Sequence, residues 1–127
     1  VRSRRQRQMC IRDRDLMAQI FKYVQGDTGP QIRVTLTNED DNAPVDLTSA
    51  TVTLHFREAG AESVLFSRQF FINPETADTG VAVLQWSVGD LEVDAGTYEG
   101  EIEVVRSSGV RETLFDKLKF KIREDFA

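Results

Sequence analysis

Between Gln19 and Ile122 apolar side chains recur at every second position over short stretches, the spacing of strands that lay one face on a core. Ile32, Val34 and Leu36 fall on one face while Arg33, Thr35 and Thr37 fall on the other. Val52, Leu54 and Phe56 alternate in the same way with Thr51, Thr53, His55 and Arg57. Further strands are predicted over 19–24, 64–72, 80–86, 97–105 and 113–122, seven in all. Turn-forming residues lie between them, at Gly26 to Pro30, Asn38 to Pro44, Gly60 to Ser63, Asn73 to Gly80, Gly89 to Gly96 and Ser107 to Gly109. These are the residues whose side chains or freedom in φ let a backbone reverse. Only Ser87 to Gly96 has helix-compatible spacing, and it is too short for more than a turn. The pattern predicts an all-β chain folded as one antiparallel β-sandwich over residues 17 to 127.

One stretch narrows the architecture. Asp94 to Gly100 reads Asp-Ala-Gly-Thr-Tyr-Glu-Gly, the corner pattern of immunoglobulin domains with Gly100 where the cysteine would stand. In that corner the tyrosine hydroxyl turns back onto the backbone a few residues upstream. Tyr98, following Gly96, is the candidate; the alternative is an aromatic that merely favours a strand after a glycine turn. Trp86 falls in the fifth predicted strand rather than the third, so the tryptophan-on-disulfide core of immunoglobulin domains is not expected. The expected fold is Ig-like, with Trp86 as a structural residue.

Charge divides the chain. The whole carries a formal net charge of −5, but residues 1 to 16 hold six arginines against two aspartates, leaving about −9 on residues 17 to 127. A basic arm for nucleic acid, a targeting segment and a sequencing scar compete for this opening. An acidic body repels the same phosphates a basic arm would seek, and the stretch lacks the apolar centre of a secretory signal. Read back into codons, Arg4 to Arg14 resembles the transposase adapter of sequencing libraries translated in frame. Residues 1 to 16 are therefore expected to be a disordered, adapter-derived segment, with Met17 as the natural start. Cys10, the only cysteine, then drops out of every chemical argument, and neither a disulfide nor a thiolate zinc site is expected. The acidic balance argues against nucleic acid and anionic lipid, and no run of about 18 apolar residues is present.

Candidate chemistry is sparse. His55, the single histidine, points outward on the alternation, with no carboxylate or hydroxyl at fixed local spacing, and an exposed strand histidine is weighed above a general base. Asn38, Glu39, Asp40, Asp41 and Asn42 with Asp46 offer oxygens to a hard cation, yet lack the spacing of a calcium loop and suit a solvated turn equally well. Gly26 to Pro30 is glycine-rich but precedes no lysine and no helix, so it is no phosphate cradle. Glu99, Glu101 and Glu103 form the wet face of one strand. Phe70 and Phe71 put aromatics on both faces of another, which implies a covering loop or a partner surface. No catalytic, cofactor or metal residues are assigned.

Three longer runs carry a family resemblance. Val24 to Glu58, with Gly-Asp-Thr, an acidic turn and Pro-Val-Asp-Leu-Thr-Ser-Ala, resembles the N-terminal domain of phage baseplate upper proteins, the BppU family. Thr79 to Val104 is similar to the second half of those domains, and Phe120 to Asp125 to their closing strand. The motif residues read as scaffold: Gly26 and Gly29 permit a tight turn, Pro30 pre-sets the backbone, and Asp27 and Thr28 cap amides. Val45 and Leu47 plug the sandwich end, Asp46 and Thr48 bond loop amides, and Ala50 is small enough for close sheet approach. The resemblance implies a non-catalytic assembly or adaptor domain of a bacteriophage tail or baseplate. It would be made in the bacterial cytoplasm and carried in the virion without a cofactor, as a homo-oligomer beside other tail or fibre proteins. A carbohydrate- or receptor-binding sandwich is the alternative, and an enzyme would need convergent acids that the sequence does not show.

Overall fold

A computed structural model of the 127-residue chain describes residues 9–11, 20–29, 31–38 and 41–126. The chain is all-β and Ig-like. Its strands are β1 (Met9–Ile11), β2 (Ile20–Val24), β3 (Ile32–Asn38), β4 (Thr51–Glu58), β5 (Phe66–Gln69), β6 (Val81–Leu84), β7 (Gly96–Val105) and β8 (Arg111–Arg123). One sheet has the order β1-β3-β6 and the other β2-β8-β7-β4-β5. The period-two pattern builds the space between them. Ile32, Val34, Leu36, Ala82 and Leu84 face Val52, Leu54, Phe56, Ile102, Val104, Leu118 and Phe120, all buried. Each of these side chains larger than Ala82 contributes about 1.5–3 kcal/mol through the apolar surface it withdraws from water.

At the centre Phe56 stacks on Phe66 and Tyr98, with ring centroids 4.8 and 5.1 Å away, and meets the edge of Trp86 at 5.8 Å. Gly100 adjoins this cluster. A Cβ there would stand 2.6 Å from Leu54 Cδ1 and 2.9 Å from Phe120 Cε2. At the position of the immunoglobulin cysteine there is thus no room for a side chain beside Leu54 and Phe120.

The structure corrects several sequence expectations. The sandwich is not wholly antiparallel, because β2 runs parallel to β8, Ile20 beside Lys119 through Val24 beside Arg123. The predicted strand 64–72 is split. Phe70 donates its N–H to Val52 O beside β4, and Phe71 then exchanges two backbone hydrogen bonds with Val83 of the other sheet. This crossing puts Phe70 in the core at 2% exposure and Phe71 on the surface at 65%, so only Phe71 remains available as an interface residue. The breaker from Asn73 to Gly80 contains a 3-10 helix, Pro74–Thr79, with the Asn73 side chain accepting from the Glu75 N–H at its start. Gly80 ends it at φ 77°, where a Cβ would lie 2.4 Å from Leu36 O. Within the opening segment expected to be disordered, Met9–Ile11 forms β1 and pairs antiparallel with β3. An exposed strand edge offers backbone groups that any extended segment can satisfy, whatever its side chains. The remaining residues up to Gln19, including Met17, lie outside the described residues, as do Pro30, Glu39 and Asp40.

Candidate functional site

The strands run between two ends of the sandwich, and candidate chemistry sorts by end and by outer face. At the end where β2, β6 and β8 finish, loop residues are cross-tied. The Gly26 N–H, at φ 83°, donates to Leu91 O over 3.0 Å. Asp27 Oδ2 accepts from the Val24 N–H over 3.0 Å, and the Gln25 amide donates to Val93 O over 2.9 Å. Asp90, 5% exposed, takes both forks of Arg68 and also accepts from the Ser87 N–H over 2.7 Å. The attraction of Asp90 holds the Arg68 guanidinium above its ordinary range. Tyr98 donates its hydroxyl to Asp94 O, four residues upstream, at the corner that Gly96 opens into β7. Burial pushes the Tyr98 phenol up, and Glu58 and Asp94 push it the same way.

The opposite end is open. A cavity of about 760 Å³ lies between the 44–48 segment and the β7–β8 hairpin, lined among others by Asp46, Thr48, Arg106, Ser107, Ser108 and Glu112. Two features of the chain shape it. Val45 and Leu47, both buried, anchor the segment, their N–H groups donating to Leu36 O and Ala77 O over 3.0 and 2.9 Å. Asp46 between them points outward, and its Oδ1 accepts from Thr48 twice, from the hydroxyl at 2.6 Å and from the N–H at 3.0 Å. Those bonds, helped by Arg106, hold the Asp46 carboxyl below the usual carboxylate range. Ala50 is half-buried against the core, its N–H on Leu47 O at 3.0 Å. Across the cavity Arg106 Nη2 lies 3.3 Å from Glu112 Oε1, while its Nε is buried with no hydrogen-bond partner among the described residues. The Pro-Val-Asp-Leu-Thr-Ser-Ala motif marked Asp46 as bonding loop amides, but nothing in the sequence pointed to Arg106. That residue reaches the cavity only because the hairpin folds back.

The outer face of the larger sheet holds what local spacing could not show. His55 Nδ1 stands 2.6 Å from Ser67 Oγ on β5, and its Nε2 stands 3.0 Å from Glu103 Oε1 on β7. The ladder brings them together, with His55 opposite Ser67 on one side and beside the glutamate stripe on the other. A neutral imidazole satisfies both contacts when Nε2 donates to the carboxylate and Nδ1 accepts from the hydroxyl. Glu103 also meets Arg111 at 3.2 Å, and Glu99 is shared between Arg57 at 2.9 Å and Lys117 at 3.7 Å. Arg57 and then Lys117 hold the Glu99 carboxyl low. The face is a lattice of cross-strand charge pairs, each worth a fraction of a kcal/mol in solvent.

Trp86 is buried just beyond β6, its ring edge-on to Tyr23 at 5.7 Å. Burial pushes the Tyr23 phenol up, Trp86 opposing and Asp27 reinforcing it. Among the described residues no three His, Cys, Asp or Glu side chains group closely enough to hold a metal ion, and Glu39 and Asp40 of the acidic turn fall outside them. No helix among the described residues is long and apolar enough to cross a membrane.

No protein-family model matches the sequence, and no curated protein matches it. Solved structures similar to the chain include CopC from Methylosinus trichosporium OB3b, at 8% identity over 87% of this chain and 90% of that one, TM-score 0.46. The PmoD soluble domain from Methylocystis sp. ATCC 49242 is similar at 14% identity over 80% and 77%, TM-score 0.40. PcoC, a methionine-rich copper resistance protein from Escherichia coli, is similar at 17% identity over 84% and 91%, TM-score 0.38.

Proposed function

We propose that the chain is a non-catalytic domain of a bacteriophage tail or baseplate, working by assembly against other tail or fibre subunits and copies of itself. The observation that supports this reading is that the residues carrying the resemblance have structural duties. Asp27 caps the turn after β2, Val45 and Leu47 anchor the 44–48 segment, Asp46 closes its turn on Thr48, and Tyr98 ties down its own corner. Phe71, exposed beside Val83 on the outer face of the smaller sheet, supplies apolar surface of the kind that subunit contacts use. The domain then needs no cofactor, and its place is the virion after synthesis in the host cytoplasm.

The test is immunogold labelling of purified virions with antibody raised against the recombinant domain, together with the identity of the flanking genes. Gold on tails and tail genes on both sides are expected. Unlabelled tails with unrelated neighbours would overturn the reading.

A further inference from the structure

The open end presents a cavity lined by polar groups with donors and acceptors to spare, and we infer that it is a binding site for a neutral saccharide. Its volume of about 760 Å³ lies within the range of roughly 300–1,000 Å³ typical of small-molecule sites. The donor and acceptor inventory selects the class. The Arg106 guanidinium, about a third exposed, spends one contact on Glu112 at 3.3 Å, and its remaining Nη hydrogens are donors that a ligand can answer. On the other wall Asp46 spends Oδ1 on Thr48, which leaves Oδ2 to accept from a ligand. Ser107 and Ser108 add hydroxyls that both donate and accept.

An anion could answer Arg106, but Asp46 and Glu112 face it across the same space, and Arg106 is already partnered by Glu112 at 3.3 Å. A cation could answer Asp46, but Arg106 repels it. A ligand carrying vicinal hydroxyls satisfies both walls without net charge, one oxygen accepting from Arg106 and its neighbour donating to Asp46. Pro44, Val45 and Val110 line the rest and offer apolar contact to sugar C–H groups. Among the described residues no aromatic side chain lines the cavity, which places the affinity for a single sugar unit in the roughly millimolar range. This inference does not depend on the assembly reading, since virions could go unlabelled while the cavity still binds sugar.

The experiment is amide chemical-shift mapping of the full chain with methyl α-D-glucopyranoside, methyl α-D-galactopyranoside, N-acetyl-D-glucosamine and L-rhamnose, each to tens of millimolar, and with inorganic phosphate. At least one sugar should move Thr48, Arg106, Ser107 and Ser108 saturably, with phosphate causing less. Asp46→Asn keeps the Oδ1 bonds to Thr48 but replaces the free acceptor with a donor, and it should weaken binding about tenfold or more while the variant stays folded. Arg106→Lys keeps the charge facing Glu112 and removes the guanidinium's paired Nη donors, with the same expectation. The inference fails if no sugar shifts these amides, if sugars shift residues elsewhere only, if phosphate outcompetes them, or if both variants bind as the parent does.

Discussion

The two ends of this sandwich are built from similar turn residues and come out as opposites. At the closed end the loops are tied to one another and to the strands beside them: Gly26 on Leu91, Gln25 on Val93, Asp90 on Arg68 of β5, Asp94 on Tyr98 of β7. At the open end the 44–48 segment is anchored by Val45 and Leu47, but the β7–β8 hairpin closes mainly on itself, through Arg106 and Val110. Between them lies a cavity with a donor left over. The difference teaches where this molecule is rigid by satisfaction and where polar groups stand free for something else.

The largest expected effect is at the closed end. Asp90→Ala strips the partner from Arg68 and from the Ser87 N–H, and should cost about 3 kcal/mol in urea-induced unfolding. That is the low end for breaking a buried pair, because Arg68 can still reach water. A cost below that of a change in the β7–β8 hairpin would erase the contrast between the ends.

Tyr98→Phe comes next, at about 1 kcal/mol for the lost hydroxyl bond. It also has a pH signature. Because the folded phenol is raised above its usual value near 10, its contribution is complete at neutral pH and falls away as pH rises above that value, where the unfolded chain ionises first. Thermal melts from neutral to strongly alkaline pH should therefore show a shallower decline in Tyr98→Phe than in the parent. An identical decline would remove Tyr98 from the account, leaving Tyr23 as the titrating phenol.

Smaller still is the response of the open end to added chain. Two glycines inserted between Ser107 and Ser108 should cost under about 0.6 kcal/mol by calorimetry, since lengthening a free hairpin loop adds little closure entropy. A loss of several kcal/mol would mean that this hairpin is as tightly bound into the fold as the closed end.

The smallest effect is at Asp46, and it fades in acid. The Asp46 carboxyl is held low, so its contribution is present above the ordinary carboxylate range and disappears as pH falls through it. Asp46→Asn should lower the melting temperature slightly at neutral pH and converge on the parent in acid, giving a flatter acid side. Glu99, held low on the sheet face by Arg57, keeps its own share of that slope. No change in slope would show that the Asp46 bonds to Thr48 have no energetic weight in solution.

Much of the sandwich was legible because a strand's alternation is a local property. Ile32, Val34 and Leu36, and Val52, Leu54 and Phe56, are buried as the period of two required, and His55 and Arg57 face outward. The break between Phe70 and Phe71 was not legible, because both residues suit a strand and the change of sheet depends on which neighbour takes each N–H. The parallel pairing of β2 with β8 joins residues about a hundred positions apart and leaves no mark in either segment. The candidate site was read only in part. Asp46 was named from its motif as bonding loop amides, but Ser107 and Ser108 were passed over as a breaker and Arg106 was given no role. His55 looked isolated until the ladder register placed Ser67 and Glu103 against it.

What the sequence determined alone was the set of faces and corners: which side chains leave water, where glycine and proline let the chain reverse, and that Tyr98 follows a tight turn. These depend on residues a few positions apart, whose geometry the covalent chain already constrains. Tertiary structure decided which faces meet and which polar atoms are matched. That choice settles on the arrangement of whole strands that buries the most apolar surface while pairing their backbones, and the unmatched Arg106 Nε is a residue of that global settlement rather than of any local rule.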